Sequence, residues 1–192
     1  MKKIILASAS ASRKKHLERL KVEFEAITPQ INEDTLKNSY KDHLQLSREL
    51  SKLKARSVSS EYNQAIIISG DTITSFNGTI LSKPRTKENA FKQLKILNGR
   101  EHQVITSLVI KADNREFINT VVAQMKMRKL SDKQIVRYID VDEPLYSCGS
   151  CRLDSMGISL FESINCEDYT AIIGIPLMWT AKTLSELGVS VP

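Results

Sequence analysis

An aspartate set behind a run of β-branched residues is the first feature of this sequence with chemical meaning: Ile66, Ile67 and Ile68 lead through Ser69-Gly70 to Asp71. Three isoleucines without polar interruption predict a strand covered on both faces, and the glycine marks a place where backbone comes close to another group. Asp71 is expected at the carboxyl end of that strand, where open α/β sheets bind ligands. It is therefore a candidate metal ligand or catalytic group, against the simpler assignment of an Asx turn capping the next element. Thr72 to Phe76 and Thr79 to Leu81 flank Asn77-Gly78, a pair that favours a type I′ hairpin. The hairpin is expected to return Lys83-Pro84 to the same end of the sheet, so that a fixed cation faces Asp71 across a pocket. An acid opposite a lysine suits a polyphosphate carrying a metal ion.

A second feature with chemical meaning is the serine-rich junction Ala7 to Ser12, which joins a short strand, Lys2 to Ala7, to a helix, Arg13 to Leu20. Serine hydroxyls and free amides at a helix N-terminus attract anions, and Arg13 adds a forked donor; an ordinary N-cap by Ser10 or Ser12 accounts for the serines equally well. Ile31-Asn32-Glu33-Asp34 is an acidic loop that composition alone assigns to a solvated turn. Cys148 and Cys151 have the C-x-x-C spacing of a redox or zinc half-site. With Cys166 as the third cysteine and the three histidines far off in sequence, incidental free thiols are the leading assignment, ahead of transient pairing of Cys148 with Cys151.

The elements that must position these groups follow from periodicity. Val22 to Ile27 reads as a second strand, and Asp42 to Tyr62 as a long helix opened by an Asp42 and Gln45 capping pattern. Leu44, Leu50, Leu53 and Val58 supply much of its apolar face, while Lys52, Lys54 and Arg56 read as solvated decoration. Thr86 starts a helix to Leu97, with Ala90, Leu94 and Leu97 on one stripe and Gly99 as its stop. Gln103 to Lys111 and Phe117 to Lys129 form two long strands around Asp113-Asn114, and Ser131 with Gln134 caps a helix through about Ile139. A loop-like stretch, Cys148 to Gly157, precedes a short strand, Ile158 to Phe161, an acidic loop, Glu162 to Asp168, and a last helix ending near Gly188. Trp179 on that helix is assigned to the core. This pattern predicts an α/β chain, residues 1–192 as one domain with a mixed, strongly twisted sheet flanked by helices and two lobes around a central cleft.

Composition bounds the partners. The 192 residues carry 41% hydrophobic side chains, enough for a substantial core, and a net charge of +6. Basic residues are dispersed, the longest run being Arg13-Lys14-Lys15, and aromatics amount to only 6%. That disfavours a nucleic-acid docking stripe and suits general attraction to anions. The opening MKKIILASAS resembles a secretory signal but has only four apolar residues, Ile4 to Ala7, and no stretch reaches the length of a membrane span. A cytoplasmic chain without membrane contact is expected, with a homodimer as a candidate assembly.

Several separated motifs together resemble the Maf proteins, nucleoside triphosphate pyrophosphatases, over nearly the whole chain. ILASASASRKKHLERL is similar to the family's N-terminal segment, INED to its acidic loop, and LKA, SGDT and SKP fall in the family's order and spacing. The CGS segment, GISLFESI and IIGIPL fit further along. The resemblance implies Asp71 as the catalytic acceptor, with Ser8, Arg13, Glu33, Lys54 and Lys83 around the phosphates and metal. Ser10, Ser12 and Thr72 join the expected substrate-binding set. The sequence departs from the family's pattern at Ser82, usually glycine, and at Ser12, usually proline or a basic residue. Neither change removes a charged group.

The expected reaction is cleavage of a nucleoside triphosphate between its α- and β-phosphates, giving a monophosphate and pyrophosphate. That chemistry needs a hard metal ion, Mg²⁺ or Mn²⁺, held by carboxylates such as Glu33 and Asp71. It also needs an in-line water and the charge of Arg13, Lys54 and Lys83 on the phosphates. Asp71 is open to two roles, base or chiefly metal ligand. Asp154 bears on the base. It stands where the branch acting on 7-methyl-GTP has an acidic residue and the branch acting on dTTP and UTP has a glutamine. A carboxylate accepts from guanine N1-H and its amino group, whereas a thymine or uracil edge offers one N-H between two carbonyl oxygens. The expected substrate is 7-methyl-GTP, with dTTP and UTP as the alternative. A non-enzymatic module binding nucleic acid or division proteins is the competing class; it predicts steep salt dependence and no need for Asp71.

Overall fold

The computed structural model describes residues 2–33, 36 and 39–191. The chain forms two compact units, one of Met1–Thr72, Thr106–Val121 and Asp168–Pro192, the other of Ile73–Ile105 and Val122–Glu167. Asp34, in the predicted acidic loop, lies outside the described residues.

In the first unit β1 (Ile4–Ala7) runs parallel to β2 (Glu25–Ile27) on one side and β3 (Ile66–Phe76) on the other, with Ile5 opposite both Glu25 and Ile67. Side chains that alternate along a strand must go to opposite faces, and here both faces are covered. Ile4, Leu6, Ile66 and Ile68 pack with Leu108, Ile110, Leu17 of helix α1 (Ala11–Leu17) and Leu184 of the last helix (Leu177–Glu186). Ile5, Ala7, Ile67 and Val109 face Ala55 and Val58 of α2 (His43–Ser59). Each such fully buried aliphatic side chain contributes roughly 1.5–3 kcal/mol. Trp179 packs against the first of these cores, as expected.

The second unit contains the hairpin of β3 with β4 (Thr79–Ile80), in which Ser75 pairs with Ile80 and Phe76 with Thr79. Asn77 and Gly78 have φ of 47° and 75°, the left-handed pair that a type I′ turn demands. Helix α3 (Lys87–Leu97) is capped by Thr86, whose hydroxyl accepts from Asn89 N, and α4 (Asp132–Asp142) by a reciprocal capping box of Ser131 and Gln134. Leu94, Leu97, Ile135, Tyr138 and Ile139 from these helices pack with Met127 and Leu160. The long strands β5 (Glu101–Ala112) and β6 (Arg115–Met127) flank the Asp113-Asn114 turn, and β7 (Phe161–Asn165) pairs antiparallel with β6. Among the described residues the sheet has seven strands in the order β2-β1-β3-β5-β6-β7, with β4 on β3, and the α/β class and the mixed sheet are as expected. The last helix becomes α5 in chain order.

Local expectations fail in four places. Strand β3 does not stop before Asp71; it continues for 11 residues to Phe76. Its parallel neighbour β1 ends where Ala7 meets Ser69, but Thr72 to Phe76 form the first arm of the hairpin, so the extended backbone has a reason to continue. Leu44 is exposed on α2 and Leu46 is buried in its place, because two residues is roughly half a helical turn and only one of the pair can face the sheet. Lys54, read as solvated, is buried. Ile158 to Leu160 belong to a 3₁₀ turn (Met156–Leu160), and the strand begins at Phe161, which moves Glu162 out of the predicted loop and into β7. Arg128 takes the carbonyls of that turn, its backbone N donating to Leu160 and its guanidinium to Ser159.

Candidate functional site

Asp71 lies two residues beyond the last β1–β3 pair, with its side chain 12% exposed. A buried carboxylate must be paired to remain charged, and Asp71 has its pair. The Lys54 ammonium donates to Asp71 Oδ1 at 2.6 Å and lies 3.0 Å from Glu33 Oε1. Lys54 leaves α2 from a buried position, and helical side chains lean toward the N-terminus, which carries its ammonium back up the helix toward Asp71. One cation thus serves two carboxylates and leaves the trio one negative charge in excess. Gly70 is required next to this aspartate: a β-carbon there would stand 2.8 Å from Leu108 Cδ1 and 3.0 Å from the Ser107 carbonyl.

The serine-rich junction is packed against the same strand. Ser10 is the N-cap of α1, accepting from Arg13 N at 3.2 Å, and buried Ser8 accepts from Ser10 N at 3.2 Å. The N-cap assignment holds at Ser10, and the capped turn delivers Arg13. The Arg13 guanidinium donates to the Gly174 carbonyl at 3.0 Å and to Thr72 Oγ1 at 3.0 Å. Thr72 meets Thr106 Oγ1 at 3.1 Å, and Thr106 donates to the Ala171 carbonyl at 2.8 Å. Gly174 has φ of 118°, and a β-carbon there would press against Arg13 Nε at 3.0 Å, so this glycine seats the arginine. Ser12 is half-buried on the first turn of α1. Within the first unit the fold thus gathers Ser8, Ser10, Arg13, Glu33, Lys54, Asp71 and Thr72.

Lys83 and Asp154 belong to the second unit and are both exposed. Asp154 lies in a tight turn closed by Ser155 N and Gly157 N on the Arg152 carbonyl. That turn is held from α4: Tyr138 Oη accepts from Arg152 N at 3.1 Å, Asp142 Oδ1 accepts from Met156 N at 3.4 Å, and Arg152 donates to the Asp142 carbonyl at 3.0 Å. Burial pushes the Cys151 thiol well above its ordinary range, away from the thiolate that redox or zinc chemistry needs. Among the described residues Cys148, Cys151 and Cys166 form no disulfide.

Sequence reasoning missed Thr106 and Gly174 at the site, and the buried polar face of α2 behind it. Ser47 and Ser51 are fully buried, and with Lys54 they recur at i, i+4 and i+7, the spacing of one helical face. That spacing was the available signal, obscured because small polar residues do not register in an apolar pattern.

The donor set at Asp71 fits a hard divalent cation of the Mg²⁺ kind. Glu33 and Asp71 offer carboxylate oxygens on one ammonium, and Mg²⁺ is commonly held by one or two carboxylates with water and substrate phosphate completing its shell. Among the described residues no group of three or more His, Cys, Asp or Glu forms an all-protein cage.

Fold and site together define an α/β protein with an acid and lysine centre beside an arginine-bearing helix start. The chain belongs to the Maf-like protein family, which it matches over residues 3–187. It is 34% identical to a 7-methyl-GTP pyrophosphatase of Bdellovibrio bacteriovorus, over 96% of this chain and 97% of that protein. It is also 34% identical to a 7-methyl-GTP pyrophosphatase of Pseudomonas aeruginosa over the full length of both. A nucleoside triphosphate pyrophosphatase of Acinetobacter baylyi is 36% identical over 98% of this chain and 97% of its own.

Proposed function

We propose that this protein is a nucleoside triphosphate pyrophosphatase, a hydrolase of acid anhydrides, and that 7-methyl-GTP is its preferred substrate. The observation that carries the reaction is the Lys54 ammonium between Asp71 and Glu33, 2.6 and 3.0 Å away. Asp71 accepts a proton from, or orients, the attacking water; Lys54 holds its carboxylate in place; Arg13 and Lys83 offset phosphate charge. The water oxygen bonds to the α-phosphorus, the bond to the bridging oxygen breaks, and pyrophosphate leaves. A divalent cation bound by Glu33 and Asp71 would supply Lewis-acid stabilisation of the phosphate oxygens. Support for the family-level reaction comes from relatives named for pyrophosphatase activity. Support for 7-methyl-GTP comes from the two relatives named for that substrate and from the exposed Asp154 carboxylate, suited to the guanine edge.

Product analysis with Mg²⁺ or Mn²⁺ is expected to yield pyrophosphate and a monophosphate, and to show no turnover when the cation is chelated. Orthophosphate and a diphosphate would overturn the cleavage site. In a nucleotide panel at fixed metal and salt, wild type is expected to favour 7-methyl-GTP, and Asp154→Gln to lose that preference. A wild-type preference for dTTP or UTP would establish the pyrimidine alternative.

A further inference from the structure

We propose that Ser47 is a positioning residue for Asp71: its hydroxyl fixes the backbone of the catalytic aspartate while Lys54, on the same helix, fixes the side chain. This rests on the reading of Asp71 as the catalytic acceptor. Ser47 Oγ donates to the Asp71 carbonyl at 3.3 Å and accepts from the Ser107 backbone N at 3.1 Å. A serine hydroxyl has a single proton, so with Ser107 N-H occupying its acceptor side that proton is directed at Asp71. Two turns further along α2, Lys54 donates to Asp71 Oδ1. One rigid element therefore grips a single residue at both its main chain and its carboxylate.

The surrounding seam is polar where a helix on a sheet would ordinarily be apolar. Ser51 Oγ lies 2.8 Å from the Ser47 carbonyl and 3.0 Å from the Ser107 carbonyl, its single proton shared between the two, and Ser69 donates to the Ser51 carbonyl at 2.8 Å. Ser47, Ser51, Ser69 and Ser107 are all fully buried. Burying four hydroxyls costs free energy that only complete hydrogen bonding offsets, and each of the four has a partner, Ser107 Oγ meeting Thr120 Oγ1 at 3.0 Å. The seam sets register: Ser47 meets Asp71, Ser51 meets Ser69, and Ala55 and Val58 pack with Ile67. Strand β3 is further held at the next residue by Arg13 on Thr72. A reacting carboxylate displaced by about 1 Å can lose on the order of 100-fold in rate, so a device that holds it has a kinetic consequence.

The test compares two serines one turn apart. Ser47→Ala is expected to lower kcat by about tenfold or more with KM within about twofold, and Ser47→Cys, which keeps a weak donor, to fall between it and wild type. Ser51→Ala, equally buried but without a bond to Asp71, is expected to lower the melting temperature comparably and to keep kcat within about twofold. All rates are measured well below the lowest melting temperature. An unchanged kcat in Ser47→Ala, an equal kcat loss in Ser51→Ala, or failure of both Ser47 variants to fold while Ser51→Ala folds would overturn the positioning role. Asp71→Asn is assayed beside them: if it retains wild-type turnover, the reading of Asp71 itself has failed, a result separable from failure of Ser47.

Discussion

Lys54 shows how one residue changes meaning between sequence and structure. On a helical wheel it is one of several surface cations; in the fold it is buried, and its ammonium is the partner of Asp71 and Glu33. The reason is length: a four-carbon stem lets a helix buried against the sheet carry a charge past its own apolar contacts to a carboxylate. In Asp71→Asn the amide is nearly isosteric, and Lys54 keeps Glu33 as a partner. The variant is therefore expected to fold with a near-native circular dichroism spectrum while losing on the order of 100-fold or more in kcat. Wild-type turnover in this variant would remove Asp71 from the chemistry.

At the scale of elements, β3 does two jobs that the sequence reading separated. Its first half is a buried parallel strand, its second half a hairpin arm, and Gly70-Asp71-Thr72 lies at the change, past the last β1 pair. Each of these three residues is fixed by a different contact: Gly70 by close approach to Leu108 and Ser107, Asp71 by Ser47 and Lys54, Thr72 by Arg13 and Thr106. Gly70→Ala forces a methyl against a backbone carbonyl that has no rotamer to escape with. Urea unfolding is expected to show a loss of about 1–3 kcal/mol, and kcat to fall with it. A variant as stable and active as wild type would show that β3 and β5 can separate without cost.

At the scale of the whole molecule, stability should depend on pH through a histidine remote in sequence from the predicted site residues. His102 is buried in the second unit beside the Phe161 ring, its Nδ1 has no hydrogen-bond partner among the described residues, and burial lowers its pKa to about 4. The unfolded chain, titrating near 6.5, takes up this proton first as pH falls. The neutral ring's contribution is thus complete above about pH 6.5 and is lost progressively down to about pH 4, a change of up to about 3 kcal/mol. Urea midpoints measured from pH 7 to 4.5 are expected to fall, with a shallower slope in His102→Leu; identical slopes would assign the acid sensitivity elsewhere. Sequence by itself determined the α/β class, most helix starts and both hairpin turns. These depend on groups a few residues apart: Ser10 with Arg13, Thr86 with Asn89, Ser131 with Gln134, Asn77 with Gly78. It also supplied the identities of the charged residues gathered at Asp71. Only the tertiary structure decided that β3 passes through Asp71, that Lys54 is buried, and that Ser47 and Ser51 line a polar seam. The burial of Lys54 and the serine seam depend on partners 17 to 56 residues away, and a hydroxyl's worth is set by what stands opposite it once the chain has folded.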